Sequence, residues 1–264
     1  MPDWLYPYFS GAGSGARARY RAGTARWQRR VFRRPRLIAA LAATPVAVVA
    51  VLERDQLWLW AGGVLLGVLL GAYITLLESP PPHVEQWRTG FEGERRTARA
   101  LARLRRDGFV LFHDLPDRQT GSRARSGNID HVVVSQAGVF LLDSKWFGGE
   151  VSIVGETVHV QRRDDDDASY DARWLARGMR GRAVRLQEDL GAERGVRFVY
   201  PVVVFWSPFE AGLVQSGNIV FLHGGRLASW LEAQPAVMSA ERVAEIAACV
   251  KHVCAARRRL GPAG

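Results

Sequence analysis

Two runs without a charged residue lie almost back to back. One is LIAALAATPVAVVAVL, residues 37–52, and the other is LWLWAGGVLLGVLLGAYITLL, residues 57–77, with only Glu53-Arg54-Asp55-Gln56 between them. At the rise of an α-helix the second run covers about 31 Å, the thickness of a bilayer core, and the first about 24 Å, which suffices if Arg36 snorkels to the headgroups. They read as a transmembrane hairpin with a four-residue outer turn. Trp58, Trp60 and Tyr73 suit the interfacial belt, and Gly62, Gly63, Gly67 and Gly71 would let two helices pack closely. The alternative is a buried helical hairpin of a soluble protein.

The charge balance of +10 follows the same division. Residues 1–36 hold nine arginines and a single acid, Asp3, so most of the excess sits in this arm and the rest of the chain is nearly neutral. Nucleic-acid binding over the whole surface is therefore poorly supported. Arg26, Arg29, Arg30, Arg33, Arg34 and Arg36 crowd the start of the first run, so the positive-inside rule puts the N-terminus in the cytoplasm and the hairpin returns the C-terminal part there. The expected location is the cell membrane, with both termini cytoplasmic. The arm, rich in Gly, Ala, Ser and Arg, shows no clear period and is expected to be disordered, its arginines against anionic lipid.

Ser79-Pro80-Pro81-Pro82 cannot continue a helix, and residues 78–84 read as a stiff linker. Beyond it, residues 85–260 form one domain. Periodicity predicts a helix over 85–106, with Ala98, Leu101, Ala102 and Leu104 as its apolar side, and strands over 109–114, 129–135 and 139–145. A polar loop, 115–128, separates the first two strands. Shorter strands follow at 151–154 and 157–161, then a helix at 172–190, strands at 198–206 and 218–222, and helices at 225–231 and 239–259. This order predicts an α/β (α+β) domain with a mixed central sheet flanked by helices. Cys249 and Cys254, five apart on a helical pattern, face different ways, which excludes a disulfide scaffold and a cysteine-rich zinc site.

The chemistry is concentrated in GNIDHVVVSQAGVFLLDSK, residues 127–145. Two strands joined by so short a connection form an antiparallel hairpin, and a turn around Gln136-Ala137 sets Asp130 directly opposite Asp143. Period two then gathers Asp130, Val132 and Val134 with Val139, Leu141, Asp143 and Lys145 on one face. Two like charges facing each other on an apolar surface are destabilising unless a divalent cation neutralises them or one is protonated. A hard cation such as Mg²⁺ or Mn²⁺, held by one or two carboxylates with water and phosphate oxygens, fits that need. Of the 36 basic residues only Lys145 and Lys251 are lysines, so a compact amine beside the paired acids is a marked choice where arginine serves elsewhere. Asp130 and Asp143 are the candidate metal ligands and Lys145 the candidate catalytic amine. The competing reading is a surface hairpin with an ordinary salt bridge.

These residues, with Gly90-Phe91-Glu92-Gly93-Glu94 upstream, resemble the nuclease-related domain (NERD), a family of the restriction-endonuclease-like PD-(D/E)xK superfamily. The resemblance covers residues 90–154 and continues weakly to 231. It implies a restriction-endonuclease-like fold, metal-dependent phosphodiester hydrolysis and a nucleic-acid substrate, DNA or RNA. By that pattern Asp130 and Asp143 bind metal, Lys145 assists catalysis and Glu94 joins them. Glu94 also shares a helical face with Ala98 and Leu101, so its carboxylate faces the apolar side, although a first-turn acid favoured by the helix dipole would be unremarkable there. Members often carry Gln in the helix after the core strands; here Arg180 falls there, with Gln187 seven residues on, and neither receives a role.

Arg118, Arg123 and Arg125 flank the hairpin in the polar loop and are candidate phosphate contacts, a solvated loop being the alternative. Asn128 is expected to shape the turn into its strand, and His131, on the opposite face from Asp130, to be a packed histidine. Trp146 and Phe147 read as strand-end core more than as stacking platforms, and Asp164 to Asp167 as a solvated acidic loop. The functional alternative to a nuclease is a non-catalytic nucleic-acid-binding or protein-interaction module of nuclease-like fold, tethered to the bilayer.

Overall fold

The structure, a computed structural model, describes residues 14–32, 44, 63–64, 67–68, 71, 82–117, 128–162, 168–191 and 196–259. Contacts divide the chain into two compact units, one containing the described residues from Thr89 on and the other those between Arg17 and Arg88. Among the described residues no helix is long and apolar enough to cross a membrane, and the two uncharged runs lie almost entirely outside those residues.

The basic arm departs from expectation. Ser14–Phe32 forms a helix, α1, where disorder was predicted. The stretch holds no proline and is dominated by Ala and Arg, among the strongest helix formers, so local propensity outweighs Gly15 and Gly23.

Helix α2 (Pro82–Ala102), whose residues from Thr89 on belong to the larger unit, runs into a 3₁₀ turn, Arg103–Asp107, that stops at Gly108 in a left-handed conformation. Strands β1 (Val110–Pro116), β2 (Asn128–Ser135) and β3 (Gly138–Lys145) follow within a residue or two of their predicted bounds. Next come β4 (Gly149–Val154), β5 (Thr157–Arg162), β6 (Ser169–Asp171), α3 (Trp174–Leu190) and β7 (Val199–Phe205). The chain continues through β8 (Leu213–Ser216), β9 (Ile219–His223), α4 (Leu227–Glu232) and α5 (Ala240–Arg259). Two short strands, β6 and β8, escaped the sequence reading. Both lack a run of alternating apolar residues, and backbone pairing alone defines them. Gly217, at φ 57°, and Asn218 form the two-residue turn from β8 to β9, so the strand begins at Ile219, one residue later than predicted.

The main sheet has the order β1-β2-β3-β7-β9-β8, with β3, β7 and β9 parallel and the other neighbours antiparallel; β4-β5-β6 form a separate antiparallel sheet. This is the mixed sheet predicted. Period two sorts the core into two layers. Val132, Val134, Val139, Leu141, Val203 and Phe205 pack with Met179, Leu186 and Leu190 of α3 and Ile246 and Val250 of α5. Val133, Phe140, Leu142, Val202 and Val204 pack on the other side with Leu101 of α2, Leu104 of the 3₁₀ turn and Leu227 and Leu231 of α4. Cys249 is buried and Cys254 half-buried, both as free thiols.

Candidate active site

The β2–β3 ladder pairs His131 with Leu142, Val132 with Leu141 and Ser135 with Gly138 across the Gln136-Ala137 turn. Continuing that register by one residue sets Asp130 opposite Asp143, as predicted. Asp143 is 3% exposed. Its Oδ1 accepts from Nη1 of Arg182 at 3.0 Å, and its Oδ2 forms an ion pair with Nζ of Lys145. Asp130 lies where the ladder ends, and its Oδ2 accepts from the backbone N–H of Ser144 at 2.8 Å.

Burial pushes the Asp130 carboxyl up to about 7, with the Asp143 charge adding to the shift. Glu94, from α2, is pushed up to about 9, first by burial and then by Asp130 and Asp114. Burial opposes the charge of Lys145, but Asp143 and Asp130 together outweigh it and hold the amine above its ordinary value. Glu94, Asp130, Asp143 and Lys145 thus lie within one another's electrostatic reach.

Two further residues join it. Asp114, in β1, falls across from Asp130, between the register pairs His113–His131 and Leu115–Ile129. Its φ of 53° is rare for a residue other than glycine, and Asn128 Nδ2 donates to its Oδ1 at 2.5 Å, a more specific role than the turn shaping expected of Asn128. The signal was present as an acid inside the apolar run Val110–Pro116. Arg182 of α3 is the second. It bridges Asp143 and Asp117, and Arg185 also pairs with Asp117 at 3.0 Å. Arg180, where the family pattern pointed, instead bonds Asn218 Oδ1 at 2.7 Å and pairs with Glu156. Gln187 donates to the Arg197 carbonyl.

A buried hub ties α2 to the hairpin. Thr97 Oγ1 lies 2.7 Å from Ser144 Oγ, accepts from Trp206 Nε1 at 2.9 Å and donates to the Gly93 carbonyl at 3.1 Å. Ser144 is the residue between Asp143 and Lys145, and Gly93 precedes Glu94, so one hydroxyl links the helix that carries Glu94 to the strand that carries the acid and the amine.

On the other face His131 is fully buried, and its Nδ1 lies 2.7 Å from Nδ1 of His113. Burial, with Arg105 nearby, lowers His113 to about 4, and burial beside His113 lowers His131 well below its usual value. His131 is packed, as expected. Phe147 packs against Phe205 and Tyr170, while Trp146 carries the Arg96 guanidinium over its ring at 4.1 Å. Arg118, Arg123, Arg125 and Asp164 to Asp167 lie outside the described residues.

Among the described residues no group of three or more His, Cys, Asp or Glu side chains is arranged to hold a metal ion. What the site offers is a pair of carboxylates, an all-oxygen donor set of the kind Mg²⁺ or Mn²⁺ accepts when water and phosphate complete the shell. Burial is the first cause of the raised pKa values of Asp130 and Glu94 and the neighbouring carboxylates the second, and it is the second that a cation would relieve.

A mixed sheet covered by helices on both faces, with two acids and an amine on adjacent strands and a further acid from α2, defines an α/β domain with a carboxylate-and-amine site. Residues 89–206 match the family model of the nuclease-related domain, which supports the resemblance drawn from the sequence and indicates such a domain over that span. No curated protein and no solved structure matches the chain.

Proposed function

We propose that the chain is a metal-dependent nuclease that hydrolyses phosphodiester bonds of DNA or RNA, anchored to a bilayer by residues 37–77 and facing the cytoplasm. The observation that carries this reading is the convergence of Asp130, Asp143 and Lys145 on one face of the β2–β3 hairpin with Glu94 electrostatically coupled to them. Mg²⁺ or Mn²⁺ held by Asp130 and Asp143 would neutralise the paired acids and polarise the phosphodiester. Lys145, kept charged by its acidic neighbours, stabilises negative charge developing on the phosphoryl oxygens. In the cation-free site burial, with Asp130 and Asp114 beside it, keeps Glu94 protonated at neutral pH, and a cation on Asp130 and Asp143 would ease the release of that proton. The Thr97 hydroxyl holds the two halves in register.

A second reading, a non-catalytic nucleic-acid-binding or protein-interaction module, draws on one observation: Lys145 and Arg182 already engage both oxygens of Asp143. One assay separates the two. The full chain in detergent is incubated with single- and double-stranded DNA and RNA in Mg²⁺, Mn²⁺ or EDTA, beside Asp143→Ala. Cleavage that needs the cation and is lost in the variant supports the nuclease; binding without cleavage supports the module. The anchor is tested separately with a reporter fused after Gly264, and an extracytoplasmic readout refutes the orientation.

A further inference from the structure

Asp143 is one of the two acids assigned to the cation, and both its oxygens are already engaged. Its Oδ2 pairs with Lys145, and its Oδ1 accepts from Nη1 of Arg182 at 3.0 Å. The two partners differ in what lies behind them. Lys145 belongs to the same strand, whereas Arg182 comes from α3 and also reaches a second carboxylate, its Nε standing 3.6 Å from Oδ2 of Asp117. One guanidinium is thus shared between two acids, hydrogen-bonded to the first and only ion-paired with the second.

Asp117 is incompletely satisfied. Its Oδ2 accepts from Nη2 of Arg185 at 3.0 Å, one turn along α3 from Arg182, but its Oδ1 is buried and has no hydrogen-bond partner among the described residues. Nε of Arg185 is a buried donor in the same condition. Leaving a buried acceptor unmatched costs more than an ordinary hydrogen bond returns, so an open carboxylate oxygen beside an arginine bonded elsewhere calls for a reason. Charge supplies one. A divalent cation arriving at Asp143 would meet the Arg182 guanidinium on the same carboxylate, and two positive charges that close repel each other. Arg182 has a second acid within reach, and moving onto it asks for a side-chain adjustment without any change in the helix.

Resting on the reading of Asp143 as a metal ligand, we propose that Arg182 is a two-position residue that tunes the cation site: it holds Asp143 while no divalent cation is bound and withdraws to the open oxygen of Asp117 when one binds. Asp117 stands outside the acid pair, yet it governs how readily the cation enters, because it receives the displaced arginine. Arg182 and Asp117 touch no reacting atom in this role and act as positioning residues. The same arrangement accounts for an acid that stays buried without a cation, since Arg182 and Lys145 supply positive charge to Asp143 in the interim.

The test measures cation binding apart from cleavage. Mn²⁺ affinity of the full chain in detergent, without nucleic acid, is read from the electron paramagnetic resonance signal of the free ion for wild type, Asp117→Asn, Arg182→Ala and the double variant. Asp117→Asn keeps the shape but weakens the retreat, and it is expected to lower Mn²⁺ affinity about threefold or more, while Arg182→Ala raises it by a similar factor. In the double variant the Asp117→Asn effect should vanish, leaving the affinity of Arg182→Ala, because no arginine remains to move. Simple loss of a negative charge would instead weaken binding equally in both backgrounds. An Asp117→Asn loss that persists undiminished beside Arg182→Ala therefore overturns the proposal, and so does wild-type affinity in Asp117→Asn. Arg182→Gln takes the place of Arg182→Ala if circular dichroism shows the latter unfolded. The two readings fail differently. Metal-dependent cleavage with additive effects on Mn²⁺ affinity sinks the moving arginine and leaves the nuclease; coupled Mn²⁺ binding in a protein that never cleaves does the reverse.

Discussion

Glu94 should make the cation-free protein less stable as pH rises above neutral, which is the reverse of ordinary carboxylate behaviour. Its folded pKa is about 9 against an ordinary 4.5, so between those values the native state holds a proton that the unfolded chain has lost. Stability is therefore largest below 4.5 for this group and is removed as pH rises through 9. The histidine pair acts in the opposite sense, since His113 falls from 6.5 to about 4 and its contribution is lost as pH drops through that window. Above pH 7 the histidines no longer titrate, and the slope is set by Glu94 with the tail of Asp130, whose folded value is about 7. Integrating the proton difference for Glu94 from pH 7 to 9 gives a loss of about 2 kcal/mol, with a few tenths more from Asp130. With a urea m-value of about 2 kcal/mol/M, the unfolding midpoint should fall by about 1 M over that interval in EDTA. Tryptophan fluorescence during urea titration at pH 7, 8 and 9 measures it, and Glu94→Gln should flatten most of the dependence. A wild-type midpoint that does not move, or an undiminished slope in Glu94→Gln, refutes the assignment of the burden to this carboxyl.

Three other substitutions probe the surroundings. Thr97→Val keeps the shape but removes the hydroxyl shared by Ser144 and Trp206; a stability loss of about 1–3 kcal/mol is expected, with lower kcat at unchanged KM, and recovery of both in Thr97→Ser. Gly224→Ala would put a Cβ within 2.5 Å of the Trp206 ring, so a drop of about 1–3 kcal/mol should appear as a lower Tm. Arg182→Ala removes a cation that competes for Asp143, so Mn²⁺ affinity, followed by electron paramagnetic resonance, should rise severalfold while cleavage falls; weaker Mn²⁺ binding would contradict that role.

Much of the domain could be read from local pattern. The β2 and β3 strands are short, largely apolar runs buried on both faces, and the two-residue turn at Gln136-Ala137 leaves their register a single solution. Apolar spacing in α2 likewise aimed Glu94 inward before any tertiary contact was known. The short strands β6 and β8 were invisible because their residues alternate with no buried face and depend on partners elsewhere in the chain. The helix over Ser14–Phe32 was misread for a related reason: a helix rich in Arg and Ala shows propensity without periodicity.

The sequence alone determined that Asp130, Asp143 and Lys145 share a face, because strand period and turn length are local properties that no distant residue can alter. Only the tertiary structure decided that Arg182 and not Arg180 meets Asp143, and that Asp114 stands beside Asp130. Each residue turns a helix by about 100°, so a shift of two carries a side chain nearly to the opposite side, and which side faces the sheet is settled by how α3 packs across β3 and β7. Asp114 depends likewise on how β1 pairs with β2 across a long loop, and no turn chemistry in the intervening residues fixes that pairing in advance.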